Sequence, residues 1–526
     1  MASSRRKGVS GLALLASGAL VLSACGGNGG DEGGGDDVAA DADISEFNVA
    51  WHAQPPTLDP VMTTATAAHS MARNVYEPLV ILDADNELQP VLAESWEEDG
   101  ANIVFTLREG VEFHNGEPMT AEDVAASLNR WFELSNLGQL FFSESTMEVT
   151  GDLEVTLVNE EPMYPVLILM GAVTSPPVVM PASLIEDAPV EGIDDMIGTG
   201  PYKLVEWVTD QHIHFELNED YDPAPGEPSG LAGDRTGTYE NLYYRMVPDA
   251  STRVSGIQSG EYDAAMNIPY DNFDQVDGDE GLDTFLYDGG FGGAVFNKAE
   301  GPLADETLRH AVNAALDMES ILTAAYTDDR FYTMNGALAD EESMWFTDVA
   351  LENYNVNDPE LAEQLIAESD YDGEPIRIVT TREYEEYYNS SVVMEQQLGD
   401  VGLNVELIVT DWATVTELRD DPAEHEISMT AWSPIEMPIE YTFFNPSWSG
   451  WTEDDAIAAA LDSATYAADE DAAMEGVSDL QEAFYEYLPV LNFGYRSNIV
   501  AVRDGLSGYE PPRGAGDMFY RVYPTE

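Results

Sequence analysis

The segment from Ile427 to Trp451 carries side chains that could enclose a small ligand and bind a positive charge on it. Its large aromatic residues are Trp432, Tyr441, Phe443, Phe444, Trp448 and Trp451. Prolines interrupt any helix here, so we expect an irregular segment after a short strand. Such rings are typical of a small-molecule pocket, although they could equally form the core between two lobes. Glu436 and Glu440 are candidate partners for a ligand cation, with solvated surface acids as the alternative.

The sequence lacks the short motifs of common enzymes. It has no His-Glu-x-x-His zinc motif, no phosphate-binding glycine loop, no Gly-x-Ser-x-Gly elbow and no candidate catalytic cysteine. His212 and His214 share one face of a strand-like segment and could supply two metal ligands, but no third ligand is evident nearby. Pairs of carboxylates, which glycoside hydrolases use, occur by chance throughout so acidic a chain and therefore do not indicate a catalytic site. We therefore expect that the chain is not an enzyme and that it binds neither a metal ion nor a cofactor.

The chain carries a formal net charge of −80, from 100 acidic and 20 basic residues. Phosphate binding needs a basic face, so nucleic acid is excluded as a partner. Self-repulsion of this size should destabilise the folded chain unless salt screens it. We hypothesise that the acidity is an adaptation to saline surroundings, with solubility alone as the alternative.

The first 25 residues have the order of a bacterial export signal. A basic start at residues 5–7 precedes an apolar stretch, residues 12–22, and small residues then precede Cys25. Cys25 is the only cysteine, and its position resembles the lipobox of bacterial lipoproteins, in which the thiol receives a diacylglycerol anchor. The alternatives are an uncleaved membrane anchor and an inert cysteine. Residues 26–43 are rich in glycine and acid and are predicted to form a flexible linker.

The remaining body, about 480 residues, is long enough for two or more lobes. Residues 102–108 place Ile103, Phe105 and Leu107 on one face, which predicts a strand. Thr120 is a good N-cap, and the apolar positions after it follow a helical period.

A second strand–helix unit is predicted near residues 376–409. A strand over residues 376–381 is followed by a helix over residues 384–398 and by a strand over residues 405–409. This order predicts a parallel crossover and hence an α/β fold. One-sided apolar patterns predict two further helices over residues 308–316 and 477–488.

A series of segments along the body matches one known family in order. These segments are residues 57–60, 76–80, 89–97, 107–128, 198–207, 257–263, 308–322, 396–407, 411–414 and 488–494. The series resembles the family 5 extracellular solute-binding proteins, the dipeptide-, oligopeptide- and nickel-binding proteins of ABC importers. The most specific stretch is LREGVEFHNGEPMTAEDVAASL at residues 107–128.

The resemblance implies an α/β, two-lobed periplasmic-binding-protein-like fold with an extra subdomain and a hinge between the lobes. By analogy with the family, residues 44–78, 196–290 and 497–526 form the base lobe. The extra subdomain of this first lobe covers residues 79–195, and the second lobe covers residues 291–496.

The function implied is capture of a small solute, most simply a short peptide, between two closing lobes. The expected partners are the ABC permease subunits, with a monomeric chain held by lipid at the outer face of the cell membrane. A non-peptide solute such as an opine, a sugar conjugate or a metal chelate is the alternative. A lipid-anchored hydrolase, or a surface sensor or chaperone, belongs to other classes.

The resemblance also implies a set of ligand-binding residues. Peptide-binding members hold the ligand ammonium with an aspartate three residues after the tryptophan that matches Trp432, but Ile435 occupies that place here. Either Glu436 or Glu440 then takes over the cation, or the ligand is not a peptide with a free amine. The other implied lining residues are Trp51, His52, Phe291, Thr381, Arg382 and Tyr384, and Tyr441 is a further candidate from the aromatic segment. Arg382 could bind a ligand carboxylate through two hydrogen bonds.

Overall fold

A computed structural model describes residues 44–173, 176–186, 188–189, 192–193, 195–511 and 518–525. The predicted export signal, the lipid attachment at Cys25 and the linker lie outside the described residues. Among the described residues, no helix is both long and apolar enough to pass through a membrane.

The described residues form alternating strands and helices. The strands are β1 (Glu46–Trp51), β2 (Val80–Leu82), β3 (Leu88–Pro90), β4 (Ala93–Asp99), β5 (Asn102–Leu107), β6 (Thr146–Gly151), β7 (Glu154–Val158), β8 (Tyr202–Val208), β9 (His212–Leu217), β10 (Asn241–Met246), β11 (Ala264–Ala265), β12 (Leu282–Phe296), β13 (Tyr332–Thr333), β14 (Ile376–Thr381), β15 (Val405–Thr410), β16 (Ile427–Trp432), β17 (Val490–Arg503), β18 (Leu506–Ser507) and β19 (Tyr523–Pro524). The helices are α1 (Thr66–Ala72), α2 (Ala121–Leu134), α3 (Asn136–Phe141), α4 (Val166–Met170), α5 (Ala182–Glu186), α6 (Ala250–Ser259), α7 (Phe273–Asp277), α8 (Glu306–Ala315), α9 (Met318–Tyr326), α10 (Pro359–Glu368), α11 (Glu385–Asp400), α12 (Trp412–Arg419), α13 (Asp455–Thr465) and α14 (Glu470–Tyr487).

One large mixed sheet runs through the whole body. Its strands follow the order β15-β14-β16-β12-β17-β11-β1-β10-β9-β8, and β13 also pairs with β17. The long strands β12 and β17 are antiparallel, from Leu282 opposite Arg503 to Val295 opposite Val490. The second half of β12 also pairs with β16, and the second half of β17 pairs with β11. Both ends of the sheet are therefore built on the same two strands. The division into lobes at the boundaries given above stays a prediction.

A glycine-rich bulge interrupts the pairing of β12 with β17. The register shifts between Asp288 and Phe291, a stretch that includes Gly289 and Gly290. Gly290 has φ +73°, and a Cβ there would lie 1.9 Å from the carbonyl oxygen of Trp432. Only glycine fits this position, because a side chain would meet backbone that cannot yield.

The predicted strand and capped helix near residue 110 are confirmed. β5 buries Ile103, Phe105 and Leu107, as its period of two requires. At the start of α2, the Thr120 hydroxyl accepts the Asp123 N–H, and the Asp123 carboxylate accepts the Thr120 N–H at 2.9 Å. This capping box satisfies two backbone N–H groups that would otherwise lack partners.

The predicted parallel crossover is confirmed as well. β14 and β15 pair in parallel from Ile376 opposite Val405 to Thr381 opposite Thr410, and α11 connects them. The other two predicted helices form as α8 and α14, but each ends one residue before its last predicted apolar position. Leu316 and Leu488 are both buried just past these helix ends, and Leu488 adopts a left-handed φ of +55°.

A smaller four-stranded sheet, ordered β4-β5-β7-β6, packs with α2 in the region predicted as the extra subdomain. A buried ion pair connects this region to the chain before it. Nη2 of Arg130, on α2, lies 2.5 Å from Oδ2 of Asp59. The Asp59 carboxylate also accepts the N–H groups of Val61 and Ile193. The turn at residues 60–62 is thereby fixed against α2.

Candidate ligand-binding site

A cavity of about 1170 Å³ lies beside the crossing strands β12 and β17. Trp51 and His52, at the end of β1, line it together with residues 61–67 before and within α1. Trp432 and the residues that follow it after β16 also line it. A smaller cavity of about 570 Å³ adjoins it and shares Tyr384 with it. The larger cavity slightly exceeds the usual size range of small-molecule sites, about 300–1,000 Å³.

The structure brings most of the predicted site residues to these two cavities. The larger cavity is lined by Trp51, His52, Tyr384, Trp432, Glu440 and Tyr441, and the smaller one by Thr381, Arg382 and Tyr384. Phe291 and Glu436 are not among the described lining residues. Phe291 is fully buried with its ring 4.8 Å from that of Trp432, so it supports the wall from behind.

Trp432 is held in place by glycine and by other rings. It is the last residue of β16, and its ring meets Phe443 edge-on at 5.1 Å. A Cβ on Gly293 would come within 2.8 Å of the indole Cζ3, so the glycine leaves the space that the indole occupies. The indole is therefore a rigid apolar surface of the cavity, with little freedom to lose when a ligand binds.

Glu440 places a buried carboxyl group at the cavity wall. Its Oε1 accepts the N–H groups of Glu436 and Met437 at 3.1 and 2.7 Å, while the buried Oε2 has no partner among the described residues. Burial and the neighbouring charge of Glu436 raise the pKa of Glu440 to about 8. A cation at Oε2 would satisfy this atom and favour the ionised form.

His52 and Tyr384 contact each other at the cavity wall. Their rings are 5.4 Å apart in a T-shaped contact, and Trp51 lies 5.2 Å from His52. Burial, with the charges of Arg253 and Arg496 nearby, lowers the pKa of His52 to about 3. The imidazole is therefore neutral at physiological pH and can offer a ligand one donor and one acceptor.

Thr381 and Arg382 lie where β14 ends and the turn before α11 begins. Thr381 is buried, and its hydroxyl accepts the N–H of Glu383 at 3.2 Å. Arg382 is exposed, with its guanidinium carbon 3.5 Å from the centre of the Tyr388 ring. This stacking orients the guanidinium without neutralising its charge.

Several lining residues were not predicted from the sequence. The most notable are Arg419 and Arg496, together with Glu386 and Trp412. Arg496 interrupts the largely apolar strand β17 in a chain with few basic residues, and that signal could have drawn attention to it. Burial raises the pKa of Glu386, although Arg496 acts in the opposite direction.

His212 and His214 take ordinary places on β9. His212 lies 3.1 Å from the carboxylate of Glu206, and the His214 ring stacks on Tyr243 at 4.1 Å. In the part of the chain that the structure describes, no group of three or more His, Cys, Asp or Glu residues could hold a metal ion.

Comparison with known proteins places this architecture in a family. The model of the bacterial extracellular solute-binding proteins, family 5, matches residues 87–455. A relative from Sinorhizobium fredii, named as a probable peptide ABC transporter periplasmic-binding protein, is 26% identical over 486 residues, covering 86% of this chain and 89% of its own length.

Solved structures share the two-lobed α/β fold. The binding protein AgaA of A. tumefaciens R10, in complex with agropinic acid, aligns with a TM-score of 0.79 and 22% identity over 92% of this chain and 99% of its own. The oligopeptide-binding protein AppA of Bacillus subtilis, in complex with a nonapeptide, aligns with a TM-score of 0.79 and 20% identity over the same shares. The chain belongs to the family 5 bacterial extracellular solute-binding proteins.

Proposed function

We propose that this chain is the solute-receiving component of an ABC importer and that it captures a short peptide between two lobes. The observation that carries the proposal is the cavity beside the crossing strands, whose wall includes Glu440, a residue whose Oε2 has no partner among the described residues. A peptide ammonium at this atom would give a buried carboxylate the charge partner it lacks. The peptide-binding names of relatives support the same ligand class.

Closure of two lobes would couple binding to transport. The walls come from chain segments on both sides of β12 and β17, so a ligand completes its contacts only when the segments approach each other. Binding energy then shifts the balance towards the closed form, which a permease can distinguish from the open one. No bond in the ligand changes in this cycle, and we propose that the chain is not an enzyme.

The same proposal includes location and partners. The export signal and Cys25 support a lipid anchor at the outer face of the membrane, which would raise the effective concentration of the chain near its permease. We propose a monomer, with the membrane permease subunits as its protein partners.

A non-peptide ligand is the second candidate. Ile435 stands where peptide-binding members have the ammonium-binding aspartate, so the usual contact is missing. A structural relative of the same fold is described with agropinic acid, which shows that the fold is not confined to peptides. An opine, a sugar conjugate or a metal chelate would then occupy the cavity.

Native mass spectrometry of the purified mature chain tests the proposal. We expect a co-purified mass that fragments as a short peptide, whereas a sugar or a chelate would select the second candidate. Glu440→Gln should weaken peptide binding by about 1–3 kcal/mol, because it removes the charge partner of the ammonium. Glu436→Gln is the matched control and should leave affinity unchanged or slightly higher. Turnover of the bound molecule would overturn the proposal in favour of a hydrolase.

A further inference from the structure

The predicted extra subdomain touches the predicted second lobe at a point away from both cavities. The N–H of Tyr164, between β7 and α4, donates to the carbonyl oxygen of Thr465 at 2.9 Å, and Thr465 ends α13. The Tyr164 ring also meets the buried Trp345 edge-on at 6.1 Å. None of these three residues is among the described lining residues of either cavity. We call this meeting of residues 160–164 with residues 465–470 the outer contact.

The second-lobe side of the outer contact also supports the cavity wall. Both α13 and α14 pack against the turn at residues 438–440, which holds Glu440. The Phe484 ring of α14 lies 5.9 Å from that of Phe443, which in turn meets Trp432. Packed helices move as rigid bodies, so a movement of α13 and α14 away from the subdomain would carry this part of the wall with it.

Exposed acids flank the outer contact on both sides. Glu160 and Glu161, which we call the subdomain acids, come shortly before Tyr164. Asp469 and Glu470, which we call the helix acids, lie at the start of α14. The outer contact thus joins two acidic segments of the surface.

Each pair of acids acts on a tyrosine of the opposite side. Burial raises the pKa of the Tyr164 hydroxyl, and the helix acids raise it further. Burial, Asp462 and the subdomain acids raise the pKa of the Tyr466 hydroxyl. In the described part of the chain, the charges that act on these two hydroxyls are all negative. Forming the outer contact therefore brings like charges together, and the cost of doing so falls when salt screens them.

The helix acids have a structural reason for their place, whereas the subdomain acids do not. The Asp469 carboxylate caps α14 by accepting the N–H of Ala472 at 3.0 Å, and Glu470 lies in the first turn, where the helix dipole favours an acid. Glu160 and Glu161 lie between β7 and α4, outside any helix of the described chain. They are therefore the acids to change in a test, because their replacement removes no helix cap.

We propose that the outer contact makes closure of the two lobes depend on salt. The hydrogen bond and the ring contact of Tyr164 hold the lobes together, while the acids on both sides push them apart. Salt shortens the range of this repulsion, so the closed form is favoured at high salt and the open form at low salt. The inference rests on the proposed function, because it assumes lobes that open and close around a solute.

Electron–electron distance measurements between two nitroxide labels test the inference on the mature full chain. The labels are attached through Val149→Cys on β6 and Val392→Cys on α11, both at exposed positions, in a chain with Cys25→Ser. Bound solute is first removed by dialysis under mildly denaturing conditions. Raising sodium chloride from 0.1 M to 1 M should increase the ratio of closed to open molecules about fivefold, given several like-charge pairs that screening weakens.

Removing the subdomain acids should remove most of this response. The double variant Glu160→Gln, Glu161→Gln should raise the ratio of closed to open molecules about threefold to fivefold at 0.1 M sodium chloride and leave less than about a twofold change up to 1 M. The matched control is Glu97→Gln with Glu98→Gln, which removes the same charge from exposed positions on β4 of the same subdomain. The control should keep the wild-type salt response.

The attractive part of the outer contact is tested by Tyr164→Ala. Loss of the ring contact with Trp345 should lower the closed fraction at both salt concentrations without changing the ratio between them. Two distances that do not respond to salt in the wild-type protein would overturn the inference and leave the proposed function intact. Equal salt responses of the subdomain-acid variant and its control would do the same. A single distance in every variant and at every salt concentration would instead reject the closing lobes of the proposed function.

Discussion

The hydroxyl oxygen of Thr66 lies 3.3 Å from that of Ser433. Thr66 begins α1 in the predicted base lobe, and Ser433 follows the cavity tryptophan in the predicted second lobe. Both residues line the larger cavity, so this hydrogen bond spans its two sides. The structure thus shows the two sides in contact at this point.

A disulfide at this contact should trap the ligand. Thr66→Cys and Ser433→Cys, combined in a chain with Cys25→Ser, should form a disulfide on oxidation that blocks lobe opening. We expect the exchange of a bound peptide, followed by fluorescence of a labelled competitor, to slow by at least about tenfold and to recover on reduction. The Thr66→Cys variant alone is the control. Unchanged exchange in the oxidised double variant would mean that release does not require these segments to separate.

Peptide affinity should depend on pH through Glu440. The pKa of this carboxyl is raised to about 8 by burial and by Glu436, so the unliganded group is protonated at pH 6 and must lose its proton to pair with an ammonium. Affinity for tri-alanine should therefore rise about tenfold per pH unit between pH 6 and 7. Above about pH 8 it should fall, because the peptide amine loses its charge.

The Glu440→Gln variant separates this effect from other titrations. Its tri-alanine affinity should be nearly flat between pH 6 and 7. Folding stability should change with pH in the opposite direction to peptide affinity. Because the folded state raises the pKa of Glu440, the unliganded fold loses stability as pH rises from 4.5 through about 8. The variant should therefore melt higher than the wild-type protein at pH 8, and parallel pH profiles for the two proteins would contradict the assignment.

Replacing Gly290, in the glycine-rich bulge, should reduce the unfolding free energy more than replacing Gly505, although both glycines have positive φ. Gly505 has φ +81°, and a Cβ added there would have no atom within 4 Å, so Gly505→Ala should cost only the left-handed conformation, about 1–2 kcal/mol of unfolding free energy. Gly290→Ala meets the Trp432 carbonyl oxygen as well and should cost clearly more. Chemical denaturation measures both. Equal losses would show that the crossing strand can shift without penalty.

The buried ion pair of Asp59 and Arg130 should contribute strongly to stability. Both side chains are nearly inaccessible to solvent, so Asp59→Asn would leave a buried guanidinium without its counter-ion and reduce the unfolding free energy by about 3–5 kcal/mol. Asp274→Asn is the control, because the Asp274–Arg330 pair is exposed and should be worth at most about 1 kcal/mol. Urea unfolding of the two variants compares the losses, and similar values would contradict the burial argument.

Salt should stabilise the fold. At a net charge of −80, raising sodium chloride from 0.1 M to 1 M shortens the screening length from about 10 Å to about 3 Å and weakens the repulsion between acids. We expect the melting temperature to rise markedly, as measured by circular dichroism. Sucrose as a neutral solute is the control for excluded-volume effects. A melting temperature that does not respond to sodium chloride would leave solubility as the explanation of the acidity.

Local patterns predicted the elements of the fold, whereas the site depended on contacts distant in sequence. The period of two in β5 and the Thr120 cap are properties of short segments, and both formed as expected. Arg496 was missed because its place in the cavity wall follows only from how β17 packs against segments distant in sequence. The role of Glu440 could be proposed from the sequence. Its two backbone donors, and an Oε2 without a partner in the described part of the chain, follow only from the turn at residues 438–440.

The sharing of β12 and β17 bears on how the chain unfolds. β12 pairs with β16 towards one end of the large sheet, β17 pairs with β11 towards the other, and the two strands pair with each other, so melting one end would expose unpaired backbone groups along the border of the other. Independent melting of two halves is therefore unfavourable. The described body should lose its structure in a single cooperative transition, even though the proposed binding cycle moves its two ends relative to each other.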